Sequence, residues 1–372
     1  MTGKAHRALV GGSAALALLF GSAGPARADS VRDREWHLTA LKVEQVHRVT
    51  RGAGVTVAVI DTGVDASHRD LAGAVLPGID LLPDPIGDGR DDVDGHGTSM
   101  AGLIAARGHG SGDGVLGIAP AAKILPIRAG IGGYATSGYM TEAIAFAKKK
   151  GAGVVNMSFG TTDDAPLREA VHAAREADMV LVASAGNKGA AGENYPGMYP
   201  EVLAVGATDE RGNIGTISVT GPHVDLTAPG VDIAGIDIHG SGYHVASGTS
   251  DATAIVSGAA ALIRAKYPEL SAAEVVHRLT ATATDAGKPG RDDTYGYGRL
   301  NLLKALTADV PAAAPSPSAG SSADAAPPRA ADADAEPRRI SPLLVGGVAA
   351  GGVLLLGGLV IGLMVALRRR QP

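Results

Sequence analysis

Ser250 is the residue of this sequence that is best placed to become a nucleophile. It follows Gly248 and Thr249. The almost wholly apolar run at 252–263 predicts a helix that is buried on all sides and that Pro268 ends. A serine hydroxyl is a poor nucleophile until a base takes its proton, and at a helix N-terminus it lies beside free N–H groups that suit a developing oxyanion. A helix cap is the simpler interpretation of an isolated Gly-Thr-Ser, so the nucleophile hypothesis depends on partners elsewhere.

Three other polar residues stand where such partners are expected. Asp61 directly follows an apolar run, His96 lies between two glycines at the start of a helical pattern, and Asn187 follows another apolar run. Taken singly, Asp61 could be a metal ligand, a ribose binder, a loop cap or a catalytic orienter, while His96 could be an exposed loop residue and Asn187 a turn residue. Histidine exchanges protons near neutral pH. Together with Ser250, the four supply an acid, a base, an amide donor and a nucleophile.

The pattern of elements brings these residues to one edge of a sheet. Strands are predicted at 54–60, 123–128, 153–158, 179–184 and 202–206, and helices at 98–106, 141–150, 164–177 and, from a capping box at Ser271 and Glu274, through about 283. This alternation predicts an α/β fold, a doubly wound and mainly parallel sheet with helices on both faces. Sites in such sheets form beyond the carboxyl ends of the strands.

The blocks around these residues resemble those of the subtilisin-like serine peptidases, or subtilases. The matching blocks are IDTGV (60–64), GHGTSMAG (95–102), GIAP (117–120), VNMSFG (155–160), SAGN (184–187), YP-x-x-YP-x-VLAVGA (195–207) and SGTS (247–250). The order of acid, histidine and serine is also that of subtilisin. The resemblance covers about residues 50–305 and implies the subtilisin-like fold.

The resemblance implies a serine endopeptidase that works through an acyl-enzyme. Ser250 would be the nucleophile, His96 the base that takes its proton, and Asp61 the acid that holds His96 in the right tautomer. The side-chain amide of Asn187 and the backbone N–H of Ser250 would form the oxyanion hole. Activity is then expected to rise with pH through an apparent pKa near 7 as His96 loses its proton.

The same resemblance implies protein or peptide substrates. Ser158, Phe159 and Gly160 match the strand edge that binds the peptide backbone beside the specificity pocket of the family. An extended substrate would add there as a further strand. The net charge of −5 indicates no basic surface for nucleic acid, so none is expected as a partner.

Two features of the nucleophile motif need separate attention. Subtilases usually read GTS-x-A-x-P, but here Asp251 follows the serine and Ala254 replaces the proline. A carboxylate near an oxyanion hole could weaken it.

In addition, Ser99 lies in a Gly-Thr-Ser-Met-Ala run that spells the family motif more faithfully than the residues around Ser250 do. Its place inside the histidine block, with no long apolar helix after it, favours Ser250 as the nucleophile.

No metal or other cofactor is expected from the sequence. The acidic loop 84–94 could bind calcium, but it fails the spacing of an EF-hand. Some subtilases bind calcium through an acid at the place of Asp70, yet the loop at 111–117 lacks a convincing partner ligand. A solvated acidic loop is the favoured interpretation.

Both ends of the sequence have patterns that are typical of export and membrane segments. Basic residues precede the apolar run from Ala8 to Phe20, and an A-x-A site ends at Ala28, which together predict a secretory signal peptide. From Leu343 to Leu367 no side chain is polar, and a helix of that length, about 37 Å, can cross a bilayer. Three arginines follow, so the peptidase domain is predicted to be extracytoplasmic and the C-terminus cytoplasmic at the cell membrane.

The predicted organisation has one compact domain. It comprises a signal peptide at 1–28, a short N-terminal extension at 29–51, a peptidase domain at 52–306, a Pro/Ala-rich linker at 307–341 that cannot build a core, a single-pass transmembrane helix at 342–367 and a basic tail at 368–372. The extension is shorter than the ~40 residues at which a domain folds alone. We therefore expect it to dock, with Trp36 packed on the domain. The chain has no cysteine, so an exported domain would rely on packing alone.

This organisation looks like that of the mycosins, membrane-anchored subtilases of type VII secretion systems in actinobacteria. Their resemblance implies cleavage of a few secreted substrates and association with the membrane complex of the secretion system. Mycosins typically carry cysteines and extra loops, which are not evident here. Two alternatives stay open from sequence: a general cell-surface subtilase, and a mainly structural component that stabilises a secretion membrane complex.

Overall fold

The structure, a computed structural model, describes residues 31–110, 112–132, 134–190, 194–238 and 242–311. The strands are β1 (Thr56–Asp61), β2 (Ile79–Asp80), β3 (Arg107–His109), β4 (Asp113–Leu116), β5 (Lys123–Arg128), β6 (Gly130–Ile131), β7 (Tyr134–Ala135), β8 (Val154–Met157), β9 (Val180–Ser184), β10 (Leu203–Thr208), β11 (Leu226–Pro229), β12 (Ile233–Ile236) and β13 (Tyr243–Ala246). The helices are α1 (Trp36–Ala40), α2 (Val43–His47), α3 (His96–Ala105), α4 (Ser137–Lys149), α5 (Ala165–Glu176), α6 (Thr249–Lys266), α7 (Ala272–Ala281) and α8 (Leu302–Thr307).

A parallel sheet forms the centre of the domain that the structure describes. In the described part of the chain it has seven strands in the order β11-β10-β9-β8-β1-β5-β2, and each neighbouring pair is parallel. The sheet extends from β1 through β5 in one direction and through β8 in the other, so the strand order reverses at β1. Ligands of open α/β sheets bind at such a reversal, outside the carboxyl ends of the strands. The last residue of β1 is Asp61.

Two apolar clusters cover the two faces of this sheet. One cluster combines the sheet with α3, α6 and α7, and the other combines it with α4 and α5. Within α6, every residue from Thr249 to Ile263 is buried. The prediction of an all-round buried helix after Ser250 is therefore confirmed, and the α/β fold with a mainly parallel sheet is confirmed with it.

The sequence prediction of individual elements was most accurate for long periodic segments. The five predicted strands correspond to β1, β5, β8, β9 and β10, and the predicted helices correspond to α3 to α7. The capping box of α7 has both of its hydrogen bonds. The two-residue strand β2, the edge strand β11, the β12–β13 hairpin and the six-residue α8 were not predicted. Such short segments carry too few residues to show a periodic pattern.

The N-terminal segment docks on the domain through its single tryptophan. The indole N–H of Trp36 lies 3.2 Å from the carbonyl oxygen of Val231 and 3.1 Å from that of Asp232. The Trp36 ring also packs against the core, as do the buried side chains of Val43 and Val46 on α2. The expectation that Trp36 packs on the domain is confirmed.

Several predicted segments lie outside the described residues. These are the signal peptide at 1–28, the transmembrane helix at 342–367, the tail at 368–372 and nearly all of the linker at 307–341. Within the ranges given above, no helix has both the length and the apolar character needed to cross a membrane.

Close packing at Gly97 brings the start of α3 onto the end of β1. A Cβ on Gly97 would lie 2.1 Å from the carbonyl oxygen of Gly63 and 3.0 Å from the Cβ of Asp61. A side chain of any size would therefore push α3 away from the carboxyl end of β1. Because His96 precedes Gly97, this glycine sets the distance at which the imidazole meets the strand.

Gly97→Ala is expected to lower kcat/KM by at least about 100-fold, since a misplacement of about 1 Å at a reacting group costs that much. The overpacked contact should also lower the free energy of unfolding by about 1–3 kcal/mol. Gly138→Ala is the matched control, because Gly138 is an exposed glycine of α4 whose added Cβ would meet only Thr136, at 3.9 Å. Peptidase assays and urea unfolding of both variants test this. Equal activities of the two variants would contradict it.

Candidate active site

His96 and Asp61 form a short hydrogen bond at the junction of α3 and β1. The distance between His96 Nδ1 and Asp61 Oδ1 is 2.7 Å. Asp61 is fully buried, whereas the His96 side chain is 27% exposed. An ionised carboxylate can only accept hydrogen bonds, so Nδ1 of His96 carries a proton and donates the hydrogen bond to Asp61. In the neutral imidazole this tautomer leaves Nε2 of His96 unprotonated and able to act as a base.

The chain before α3 is built to hold His96 in place. Gly95 precedes the helix with φ of +99°, a left-handed conformation that favours glycine. The carboxylate of Asp92 accepts hydrogen bonds from the backbone N–H groups of Asp94, Gly95 and Thr98 and from the Thr98 hydroxyl, at 2.7–3.0 Å. Asp92 therefore caps the first turn of α3. The acidic loop 84–94 thus contributes to the placement of the base.

Phe159 stacks on the His96 ring. The ring centroids are 5.5 Å apart and the planes differ by 18°. Phe159 is 1% exposed, so its buried ring supports one face of the imidazole. The sequence placed Phe159 on the substrate-binding edge through its backbone and did not predict this stacking.

Carboxylates raise the pKa of His96. Burial by itself lowers it, but the charge of Asp61 and its hydrogen bond, followed by the charges of Asp251 and Asp94, raise the pKa of the imidazole from 6.5 to about 9. For Asp61, burial raises the pKa and the attraction to His96 opposes the rise. The apparent pKa near 7 that the sequence predicts for activity stays a prediction, and it did not include these surrounding acids.

Ser250 lies in the first turn of α6 and is 8% exposed. Its hydroxyl donates to the carbonyl oxygen of Ser158 at 3.2 Å, and the hydroxyl of Ser158 donates to the carbonyl oxygen of Ser250 at 3.4 Å. The hydrogen bonds of the described residues do not include one between Ser250 and His96. Because Ser158 accepts from Ser250 while Phe159 stacks on His96, these two consecutive residues link the nucleophile to the base.

Asn187 is oriented by the residue before the nucleophile. Its Oδ1 accepts from the backbone N–H of Thr249 at 3.0 Å and from the Thr249 hydroxyl at 3.1 Å. Because Thr249 fixes Oδ1, the Nδ2 group of the same amide points away from Thr249. It can there donate a hydrogen bond to a developing oxyanion. Thr249 was not predicted as a functional residue. Its position next to Ser250 within the Gly-Thr-Ser turn was the signal that could have identified it.

Gly160 continues the Ser158-Phe159 segment along the sheet edge. Gly160 forms a parallel bridge to Tyr134, and Thr161 forms an antiparallel bridge to Tyr195. Ser158 and Phe159 are buried, whereas Gly160 is partly exposed. The extended backbone of this segment lies next to Ser250. The sequence predicts that a substrate strand binds along this segment.

The Ser99 side chain contacts the β12–β13 hairpin. Its hydroxyl lies 3.3 Å from Nε2 of His244 on β13, and the residue is 3% exposed. A Cβ on Gly235 of β12 would lie 2.9 Å from the Ser99 hydroxyl oxygen. The side chain is therefore directed at the β12–β13 hairpin. This geometry supports Ser250 over Ser99 as the nucleophile.

The carboxylate of Asp70, at the place of a calcium ligand in some subtilases, already has partners. Its Oδ1 lies 2.6 Å from Nδ1 of His109, and its Oδ2 accepts from the backbone N–H of Val115 at 2.9 Å. Asp70 is fully buried. Among the residues that the structure describes, no group of three or more acids and histidines is arranged to hold a metal ion.

The structure thus brings the predicted residues together at the carboxyl edge of the sheet. His96 contacts Asp61 directly, Ser250 contacts Ser158, and Asn187 is held by the neighbour of Ser250. An acid, a base, a hydroxyl and an amide donor in this arrangement can carry out acyl transfer at a carbonyl carbon.

Comparisons with known proteins agree with this chemistry. The model of the Subtilase family of peptidases matches residues 52–298. Mycosin-3 of Mycobacterium tuberculosis is 35% identical in an alignment 400 positions long, which covers 90% of this chain and 84% of that protein.

Two solved structures are similar to this chain along most of its length. The MycP3 protease from the type VII (ESX-3) secretion system is 34% identical with a TM-score of 0.66, covering 74% of this chain and 88% of that one. A chain of an intact ESX-5 inner membrane complex is 31% identical with a TM-score of 0.67, covering 89% of this chain and 90% of that one.

Ser250→Ala is expected to lower kcat for peptide hydrolysis by about 10⁵–10⁶-fold, because the nucleophile, base and acid act as a unit. Ser99→Ala is the matched control and should stay within about threefold of the parent, since the Ser99 hydroxyl faces the hairpin. Steady-state kinetics on a peptide library would decide. Loss of activity in Ser99→Ala with retention in Ser250→Ala would reverse the assignment.

The His96 imidazole is expected to titrate well above 6.5, near 9, in the folded protein. NMR titration of ¹⁵N-labelled histidines in the inactive Ser250→Ala variant measures this directly, with His96→Gln to assign the resonance. A midpoint at or below 6.5 would contradict the electrostatic role given to Asp61.

Proposed function

Since the chain belongs to the subtilase family and is a serine endopeptidase related to the mycosins, we propose that Asp61, His96 and Ser250 are its catalytic residues. The observation that carries the proposal is the 2.7 Å hydrogen bond between His96 and Asp61, next to a serine at the N-terminus of a buried helix. The acid fixes the tautomer of the base, and Ser158 and Phe159 link the base to the nucleophile. These are the relations that the acyl-transfer mechanism requires.

The first half of the reaction begins with rotation of the Ser250 hydroxyl. It leaves the carbonyl oxygen of Ser158 and turns to Nε2 of His96, which takes its proton as Oγ bonds to the scissile carbonyl carbon. The imidazolium so formed is stabilised by Asp61. The carbonyl oxygen becomes an oxyanion, and it accepts from Nδ2 of Asn187 and from the backbone N–H of Ser250.

The intermediate then collapses and the enzyme is regenerated. The C–N bond breaks, Nε2 of His96 gives its proton to the leaving amine, and the acyl group stays on Ser250. Water attacks the ester in the second half, with His96 again taking a proton and returning it to Oγ. The products are a carboxylate and an amine, and no redox step or cofactor enters the balance.

Protein substrates fit the shape of this site. The segment from Ser158 to Gly160 offers an extended backbone next to the nucleophile, so a substrate can bind as an added strand. Main-chain hydrogen bonds of this kind do not read side chains. They therefore supply affinity, while neighbouring pockets supply specificity.

A role in type VII secretion is the second part of the proposal. The similarity to Mycosin-3 extends over 90% of the chain, well beyond the peptidase block at 52–298, and a similar chain occurs in the structure of an ESX-5 inner membrane complex. This breadth favours a mycosin-like enzyme over a general cell-surface subtilase. We propose that the enzyme processes substrates of such a system.

We further propose that the enzyme is anchored in the cell membrane with its peptidase domain outside the cytoplasm. The support comes from the sequence: an apolar run at 8–20 before an A-x-A site, and a 25-residue apolar run at 343–367 followed by three arginines. A structural role in the membrane complex is compatible with this topology, and the ESX-5 similarity is the observation that favours it.

Replacing chromosomal Ser250 by alanine is expected to leave secretion-complex assembly intact and to cause accumulation of unprocessed forms of a few secreted proteins. Deletion of the gene should additionally reduce the amount of assembled complex, because the structural role is lost with the chain. Quantitative proteomics of secreted proteins, with native gels of the membrane complex, separates the two functions. An unchanged set of secreted protein termini in Ser250→Ala would contradict the processing role.

A further inference from the structure

Asp251 places a second carboxylate beside the catalytic residues. It follows Ser250 in the first turn of α6 and is only 4% exposed. The usual subtilase motif has no fixed acid there, and the mechanism described above does not use it. A buried acid next to a nucleophile needs an explanation, because ionised side chains are seldom buried without a partner.

A carboxyl oxygen of Asp251 and the two donors proposed for the oxyanion hole lie around one point at the start of α6. The point where a Cβ on Gly248 would stand is 3.2 Å from Oδ2 of Asp251 and 3.7 Å from Nδ2 of Asn187. The carboxyl oxygen and the amide donor therefore flank the same small volume at the entrance to α6. The backbone N–H of Ser250, the other donor of the hole, lies 3.6 Å from that point.

We propose that Asp251 forms a proton-dependent wall of the oxyanion hole: the neutral carboxyl permits turnover, and the carboxylate suppresses it. A negative charge at this place repels the negative charge that develops on the substrate oxygen. The repulsion is strong because the site is shielded from water. A neutral carboxyl has no such effect and can itself donate a hydrogen bond toward the oxyanion.

Opposing influences act on the proton of Asp251. Burial raises its pKa to about 7, while the positive charge of His96 and the residue's own backbone N–H lower it. The N-terminal end of α6 also favours the carboxylate. Burial dominates, so the carboxyl changes its charge in the range where the enzyme would work.

Asp251 and His96 influence each other's charge, and other titratable groups also act on His96. They are Asp61 from β1, Asp94 from the loop before α3, and His244 from β13, which is in turn influenced by Asp237 after β12. Asp61 is the fixed partner of the base, and Asp94 is exposed. Among these acids, Asp251 is therefore the buried one that is not the fixed partner of His96. Its charge can change as His96 gains or loses a proton.

Asp251 and His96 titrate as a coupled pair. The productive form has a neutral His96 and a protonated Asp251, so it carries one proton in total. Activity then rises with pH as the first proton leaves the pair and falls as the second leaves. The proposal thus predicts a bell-shaped profile of kcat/KM, with the falling limb caused by Asp251.

Asp251→Asn tests this, because asparagine keeps the shape and cannot ionise. The parent enzyme is expected to lose about tenfold in kcat/KM between its maximum and pH 10. Asp251→Asn should stay within about twofold of its own maximum at pH 10, and its rising limb should move to lower pH because one negative charge near His96 is gone. Asp251→Ala, a second neutral variant, should also lack the falling limb.

Asp94→Asn is the matched control, since it removes an exposed carboxylate near His96 and should keep the tenfold fall. Trp36 fluorescence at each pH shows that the proteins remain folded. A tenfold fall that persists in both neutral Asp251 variants would overturn the proposal. So would a parent enzyme without a falling limb up to pH 10, or folded neutral variants that are both inactive at every pH.

The inference rests on the proposed catalytic residues, and the two can fail separately. If Ser250→Ala is inactive and the Asp251 variants keep the falling limb, only the role of Asp251 is wrong. If Ser250→Ala retains activity, the assignment of the nucleophile is wrong whatever the pH profiles show.

Discussion

The hydrogen bond between His96 and Asp61 is the contact on which the rest of the site depends. It requires the first turn of α3 to lie directly on the carboxyl end of β1, which only a glycine at position 97 allows. It also requires a fixed helix start, which Asp92 supplies through its bonds to the first turn. The catalytic pair is therefore a consequence of how one helix packs on one strand at the point where the sheet reverses its order.

The buried helix α6 supplies the other half of the site. Its residues from Thr249 to Ile263 have no solvent-facing side, so the position of Ser250 is set by packing against the sheet. At its N-terminus, Thr249 holds Asn187 and Ser250 holds Ser158. Nucleophile, oxyanion donor and substrate edge are thus joined by a few hydrogen bonds to one rigid element, which is the arrangement that precise catalysis requires.

Much of this could be predicted from the sequence, and the exceptions have physical reasons. Asp61, His96, Asn187 and Ser250 stand in local motifs whose chemistry is readable, and β1 and α6 have strong apolar patterns. The Phe159 stacking, the Asp92 cap and the hairpin partner of Ser99 were not predicted, because each joins residues distant in sequence or depends on side-chain direction. The raised pKa of His96 was not predicted, because it depends on acids from several segments.

The central claim is that Ser250 becomes the acyl-carrying nucleophile when His96 removes its proton. The most direct measurement is reaction of the enzyme with a fluorophosphonate, followed by proteolytic digestion and mass spectrometry to locate the adduct. The account predicts a single phosphonylated residue, Ser250, and loss of that adduct in His96→Ala. An adduct on Ser99, or an adduct on Ser250 that forms equally fast without His96, would contradict it.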